Sequence, residues 1–415
     1  MKTLLSVSEA LERLLKNFEP VTKDVVSLEH SSGRALAEEI YASDDLPSFD
    51  ASGMDGFALR AEDVIRANVD SPISLKVVED IPAGAVPQCH ISTGQAARIM
   101  TGAPLPDGAD AVIPVEYTDF QTRKVSLPAP SRVRIFRSVG KGDFVRPKGQ
   151  DIRAGEKVLS IGIRLRPQDI GLLAMLGKAQ IEVYRLPRVA FFSSGDELVP
   201  VGVPLTFGKI YNSNSYMLMA SIQKYGGEVV NLGIVPDDPH GVRMRFERAV
   251  AEGVDLILSS AGVSVGAYDY VRQVIEQHGD LQVWGVNMRP GKPIAFGNYR
   301  GVPFIGLPGN PSSAFVGMEV FVRPVLYRLG GVMGWQPLKQ VVFLEEPLTS
   351  DGRESYLRGM VYRRQDGRWA GRLTGLQVSG NLISLVQANA LLIIPAGVQS
   401  VPAGTEVEAW FLEGT

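Results

Sequence analysis

The sequence predicts a multidomain α/β protein: an elongated mixed domain with an inserted β-rich domain, a doubly wound α/β domain, and a C-terminal β-barrel or sandwich. Three observations predict it. The chain has 415 residues, too many for one ordinary core. Between Arg188 and Gly330 short apolar runs alternate with amphipathic segments, as parallel strands and their covering helices do. On both sides of that region, short strand-like runs are broken by Gly and Pro.

Taken in order, Val7, Ala10, Leu11, Leu14, Leu15 and Phe18 fall on one helical face, with Ser6 and Glu9 at capping-box spacing and Pro20 beyond the end. Glu9, Glu12 and Arg13 interrupt the apolar centre that a signal peptide needs, so this is a structural helix and a cytoplasmic location is expected. From residue 49 to 149, ISLKVVED, ARIM, AVIPVEYTDF and VRIFR are strand candidates of the inserted domain. The flanks, 1–48 and 150–187, join into the elongated domain, and PQDIGLLAMLG from Pro167 is a helix ending at Gly177. Across 188–331, RVAFFSS and DLILSS read as buried strands, NSYMLMASIQKYGG and DPHGVRMRFERAVAEG as helices. The second helix takes Asp238 as N-cap, Pro239 at N1 and Gly253 just past its end. Ligands of such a sheet bind beyond the carboxyl ends of its strands. Strands return across 332–415 in QVVFLEE, SYLRGMVYRR, ALLIIPAG and EVEAWFL.

Composition narrows function. Apolar residues make up 45% and charged residues 21%, with a net charge of −3 and no block of five like charges, which speaks against nucleic acid as the main partner. No apolar run approaches the ~20 residues that span a bilayer. Cys89 is the single cysteine, which excludes an intrachain disulfide and a cysteine-rich zinc site. The four histidines (His30, His90, His240, His278) lack ligand spacing.

Several segments could carry chemistry. SSGDEL places Asp196 and Glu197 at a strand's carboxyl end, although a solvated turn explains that motif alone. In SSAGVSVGAYD, Gly262 and Gly266 let backbone approach a ligand, and Asp269 stands near a helix start. LPGNPSSA begins a helix with Asn310 as N-cap and Pro311 at N1, and Ser312 and Ser313 add hydroxyls. RPGKP sets Arg289 and Lys292 around a Pro-Gly turn and is no Walker loop, since Pro293 stands where Ser or Thr is required. Asp238 caps a helix, which leaves Asp237 as the better functional candidate. Asp55 in SGMDGFA, Thr101 in TGAPLPDGAD and Asp151 in GQDIRAG could each be turn formers. The basic stretch 131–149 reads as a solvated strand face, with anion attraction as the alternative.

SGMDGFA, SSGDEL, AGVSVGAYD, RPGKP and LPGNPSSA occur in that order, with GRESYLRG and SGNL following. The ordered set resembles the molybdopterin molybdenumtransferase family, including the related domain of gephyrin. The resemblance implies four domains, a homodimer whose active cleft is shared between subunits, and hand-over of substrate from a molybdopterin adenylyltransferase. It implies that adenylylated molybdopterin and molybdate give molybdenum cofactor, with Mg²⁺-dependent release of AMP. Asp55, Thr101, Asp151, Glu197, Asp237 and Asp269 carry over as catalytic residues. Ser193, Gly195, Ser213, Asn214, Gly262, Ser264, Gly266, Arg289, Lys292, Pro308, Gly309, Asn310 and Ser379 carry over as substrate contacts.

Five carboxylates facing anionic substrates repel them, by about 4 kcal/mol per pair at 4 Å and an effective dielectric near 20. A Mg²⁺ held by Glu197, Asp237 or Asp269 would mediate, with Arg289, Lys292 and helix N-termini taking the remaining charge. The chain departs from the family at Gly285 and Arg289, where lysines are usual, at Ala261, where glycine is commoner, and at Asn212, where aspartate often occurs. Tungstate in place of molybdate, a non-catalytic scaffold, and a nucleotide-pyrophosphate hydrolase are the competing readings.

Overall fold

The computed structural model describes residues 4–120, 128–261 and 270–412, so the expectations for Gly262, Ser264, Gly266 and Asp269 lie outside the described residues. The chain divides into two compact units, one of Met1–Glu38, Ile161–Ala174 and Lys178–Thr415, the other of Glu39–Ser160 and Met175–Gly177.

In the smaller unit a five-stranded sheet runs in the order Ala111–Pro114, Gly56–Leu59, Gln95–Ile99, Ile73–Ile81, Arg132–Ile135. Only the pairing of Ile73–Ile81 with Gln95–Ile99 is parallel. Phe57, Leu59, Ile113 and Val133 enter one core, while Ala58, Ala97, Ile99 and Val112 enter another. Burial on both faces explains why GFAL and AVIP are unbroken apolar runs rather than alternating ones. The run AVIPVEYTDF yields a shorter strand than expected, because the chain turns at Val115–Tyr117 and Thr118 Oγ1 donates to Val115 O at 2.8 Å.

The larger unit begins with the helix Val7–Leu15, whose capping box is formed as expected: Glu9 N donates to Ser6 Oγ at 3.2 Å, and Ser6 N to Glu9 Oε2 at 3.0 Å. Its buried face joins Phe191, Leu218, Phe321 and Ile393 in the largest core. Phe18, beyond the helix end, is buried in the same core.

The α/β sheet runs Glu228–Val235, Arg188–Ser194, Leu256–Ser260, Val302–Leu307, Pro293–Tyr299, Gly279–Gly285. The first four strands are parallel. Pro293–Tyr299 runs against them, joined to Val302–Leu307 by a hairpin through Arg300 and Gly301, both at positive φ, and Gly279–Gly285 pairs antiparallel with it at the edge and so runs with the first four. Val189 and Phe191 face the core that holds Leu218 and Ile222; Ala190 and Phe192 face the core that holds Val242 and Phe246. Asp238 caps Pro239–Ala251 by accepting from Gly241 N at 2.7 Å, and Gly253 follows the end at φ +62°. From Arg188–Ser194 the chain crosses first to one neighbour, Glu228–Val235, and then to the other, Leu256–Ser260. The reversal opens a crevice outside the carboxyl ends of Arg188–Ser194 and Leu256–Ser260.

In the C-terminal region Lys339–Leu344, Glu354–Arg363, Trp369–Leu373, Ala390–Ile394 and Glu406–Phe411 close into a barrel, because Glu354–Arg363 pairs with both Trp369–Leu373 and Ala390–Ile394. Trp369–Leu373 is the one barrel strand that the sequence reading did not single out.

Candidate functional site

The crevice is lined by Ser194, Glu197, Asn212, Ser213, Asn214, Ser260, Ala261, Gly309 and Pro311, around a space of about 60 Å³. Strand ends and two helix starts supply these groups. Buried Ser193 Oγ lies 3.0 Å from Ser215 Oγ, and Asn212 Nδ2 donates to Ser215 Oγ at 2.6 Å. Asn214 Nδ2 donates to Ser260 Oγ at 2.9 Å and to Gly309 O at 2.7 Å, which ties three loops together and fixes the amide's orientation. Its Oδ1 is buried and accepts no hydrogen bond among the described residues. Gly195 stands at φ +150°, and a Cβ there would sit 2.6 Å from Glu197 Oε2, so a side chain here would strain the backbone and displace the Glu197 carboxylate. Pro308 and Gly309 lead into the helix from Pro311; Asn310 holds the N-cap position but its side chain caps nothing. Ser312 N instead donates to Ser379 O, at 3.0 Å, in the C-terminal region.

At the crevice mouth the acids converge. Asp237 N donates to Asp196 Oδ1 at 3.1 Å. Burial raises the Asp237 carboxyl above its ordinary value; a hydrogen bond from the Asp196 backbone offsets part of that, and the charges of Asp196 and Glu197 add to the rise. Among the described residues no group of three His, Cys, Asp or Glu gathers as a ready metal cage. Mg²⁺ does not need one, since it binds through one or two carboxylates together with substrate phosphates.

A second cavity, of about 520 Å³, is lined by Arg289, Gly291, Ser313, Arg353, Arg358 and Ser379 among others. Arg353 pairs with Asp351, and its Nη1 donates to Met288 O at 3.0 Å. Arg358 is 1% exposed and, among the described residues, donates only to neutral groups: Ser384 Oγ, Leu376 O and Val378 O, at 3.0, 3.1 and 3.0 Å. Burial first, then the neighbouring Arg289 charge, lowers its pKa. Lys292 is exposed and is not among the residues lining this cavity. The segment from Gly309 to Ser313 lines both spaces, with Gly309 and Pro311 in the crevice and Ser313 in the arginine cavity. Sequence reasoning passed over Arg353 and Arg358 as site residues; an arginine inside the apolar strand run SYLRGMV was the available signal.

In the smaller unit Asp55 and Thr101 meet: Thr101 N and Oγ1 both donate to Asp55 Oδ1, at 2.8 and 2.7 Å. Asp151 pairs with Arg146 at 2.5 Å. Much of the basic stretch is paired or stacked on the surface, with Arg134 on Asp119 at 3.0 Å, Lys148 on Asp45 at 3.6 Å and Arg137 over the Tyr117 ring at 4.5 Å.

Known proteins resemble this chain over nearly its whole length. Residues 5–177 match the MoeA N-terminal region (domain I and II), 190–328 the probable molybdopterin binding domain, and 342–412 the MoeA C-terminal region (domain IV). A molybdopterin molybdenumtransferase of Nostoc sp. is 40% identical, covering 92% of this chain and 87% of the relative. The chain belongs to the MoeA family. A molybdopterin molybdenumtransferase of Bacillus subtilis is 34% identical over 98% of this chain and 94% of its own. The crystal structure of the molybdopterin biosynthesis moeA protein from Pyrococcus horikoshii OT3 superposes with a TM-score of 0.82 at 31% identity, covering 99% of this chain and 100% of that one.

The departures from the MoeA pattern have local causes or costs. Asn212 caps the helix Ser213–Lys224 by accepting from Ser215 N at 3.3 Å, a duty aspartate performs equally well. At Gly285 a Cβ would lie 2.6 Å from Leu4 Cδ2, because Leu5 N donates to Gly285 O at 2.9 Å and draws the N-terminal segment across it. Ala261 sits at φ +78°, a conformation glycine adopts freely. Ala261→Gly is therefore expected to stabilise the protein by about 1 kcal/mol, read as a higher thermal midpoint. An unchanged or lower midpoint would show that the alanine is not strained there. No helix among the described residues is long and apolar enough to cross a membrane.

Proposed function

We propose that this protein inserts molybdate into adenylylated molybdopterin and releases AMP, producing molybdenum cofactor. The observation that carries the reading is the segment from Gly309 to Ser313, which borders a polar crevice lined by the Glu197 carboxylate on one side and an arginine cavity on the other. A ligand with a hydrogen-bonding ring and a phosphoanhydride suits the crevice, where Ser194, Ser213 and Asn214 present polar groups. A tetrahedral oxyanion suits Arg289, Arg358, Ser313 and Ser379. Glu197 and Asp237 would hold Mg²⁺, which neutralises phosphate charge and makes the nucleotide a better leaving group. Arg289 would keep the cationic role of a family lysine with a planar donor fork in place of a point charge. Asp55 fixes Thr101 through two hydrogen bonds, a rigid pair suited to orienting substrate.

We infer further a homodimer sharing its active cleft, receipt of adenylylated ligand from a molybdopterin adenylyltransferase, and the division 1–48 with 150–187, 49–149, 188–331 and 332–415 into domains. Sedimentation of the purified chain checks the dimer. The function itself is tested by mixing protein, adenylylated molybdopterin and Mg²⁺ with molybdate or with tungstate. AMP release that requires molybdate is the expected result. Release driven only by tungstate would reassign the metal, and binding without release in either arm would make the protein a scaffold.

A further inference from the structure

The helix that opens at Pro311 does not run on regularly. Pro324 has no N–H for Val320 O, and its ring would crowd that carbonyl. The turn Met318–Val322 accordingly widens to π geometry between the α-helical stretches Pro311–Gly317 and Arg323–Leu329. Glu319 and Arg323, each 1% exposed, sit here amid the largest apolar core. Arg323 Nη1 donates to Glu319 Oε2 at 3.0 Å, and the Tyr225 hydroxyl donates to Glu319 Oε1. Rings enclose the guanidinium, whose Cζ lies 4.6 Å from the centre of Tyr225 and 4.4 Å from that of Trp335. Burial, then the Glu319 charge, pushes the Tyr225 phenol above its ordinary value, so it stays a donor.

Apolar side chains of the same volume would stabilise this core as well or better, because a buried ion pair loses in desolvation about what it gains in attraction. What the hydrogen bonds add is direction, and their place in the fold says what they direct. Tyr225 is the C-cap of Ser213–Lys224, whose first residues, Ser213 and Asn214, line the crevice about 16 Å away along the axis. Glu319 lies on the continuation of the helix whose first residue, Pro311, lines the same crevice. The two helices pack against each other. At the crevice end Asn214 Nδ2 ties them by donating to Gly309 O at 2.7 Å, and at the far end Tyr225 ties them by donating to Glu319. Fastened at both ends, neither helix can slide along the other.

We propose that Tyr225, Glu319 and Arg323 are positioning residues of this enzyme: locking the two helices far from the ligand, they hold Asn214 and the Gly309–Ser313 segment at the one spacing the reaction needs. The kinetic consequence rests on the function inferred above.

Two variants of the full chain test it, Tyr225→Phe and the double variant Glu319→Leu with Arg323→Met. The readouts are thermal midpoint, KM and kcat for AMP release, and hydrogen exchange at two crevice-end amides, Ser215 N on Asn212 Oδ1 and Ser312 N on Ser379 O. The double variant replaces the whole pair by apolar groups, so its midpoint is expected within about 3 °C of wild type. Its kcat is nevertheless expected to fall about 10-fold with KM within about 2-fold, because a small misplacement of reacting groups is costly. Exchange at Ser215 and Ser312 is expected to quicken about 10-fold. Tyr225→Phe, which removes one oxygen, should move kcat and exchange the same way by about 3-fold; it decides the matter if the double variant does not fold. Wild-type kcat and wild-type exchange at both amides in Tyr225→Phe overturn the proposal. So does exchange that quickens equally at every amide as the midpoint falls, which would make the cluster structural. If wild type itself releases no AMP, the proposed reaction fails, and exchange at Ser215 and Ser312 still judges the positioning.

Discussion

Replacing Asp237 by Asn is expected to slow AMP release by about 10²–10³-fold while raising the thermal midpoint at neutral pH. Both effects come from one carboxyl. Burial, then the charges of Asp196 and Glu197, hold its pKa above the unfolded value of 3.8. The folded chain thus binds this proton more tightly than the unfolded chain does. Stability falls as pH rises through the interval between the two pKa values: the penalty is absent below the unfolded value and complete above the folded one. Wild type carries the full penalty at neutral pH, and Asp237→Asn carries none. Midpoints measured from acid to neutral pH should therefore diverge in favour of the variant and then run parallel. Added Mg²⁺ should raise the wild-type midpoint and move the variant less, since a cation compensates a charge that only wild type has. A variant that turns over at the wild-type rate would remove Asp237 from the chemistry.

The larger features were legible because they follow from periodicity and capping. The capping box at Ser6 and Glu9, and the Asp238 cap with Pro239 at N1, are local rules that the fold obeys. The run RVAFFSS became a strand buried on both faces for the reason its unbroken apolarity suggested. What stayed hidden depends on long-range pairing. Nothing within QVVFLEE or EVEAWFL says that these strands close a barrel, and WAGRL carries too few apolar residues to announce a strand until Ala370 and Gly371 are seen against Phe343 and Leu344. Likewise PIAFGNY runs against the parallel strands because a two-residue turn at Arg300–Gly301 reverses the chain, a signal with no glycine-rich tripeptide to advertise it.

The site divides in the same way. Motif position brought Glu197, Asn214, Gly309 and Ser379 to the lining of two neighbouring spaces, and it paired Asp55 with Thr101. It could not foresee that Asn310 leaves its helix uncapped while Ser379 O, 67 residues later in sequence than Ser312, takes the backbone donor instead. A cap supplied from another element leaves no trace in local sequence.

Arg358 is where stability and binding meet, and Arg358→Met is expected to cost about 3 kcal/mol or more of stability together with oxyanion binding. Its guanidinium spans Ser384 Oγ, Leu376 O and Val378 O, so the truncation leaves three acceptors short of a donor at once. No carboxylate pairs with it among the described residues, so its charge is directed into the cavity that Arg289 also lines. Molybdate at about 100 times its Kd should then add about 2.7 kcal/mol to the wild-type stability. Arg289→Met separates the two roles, because Arg289 donates to none of these carbonyls: its midpoint without molybdate should stay near wild type, and the increment with molybdate should shrink. Arg358→Lys keeps the charge but loses the fork that reaches two carbonyls, so it should fall between wild type and Arg358→Met in stability. An Arg358→Met protein that melts with wild type and still gains the full molybdate increment would mean that the cavity's oxyanion is held by Arg289 and Arg353 alone.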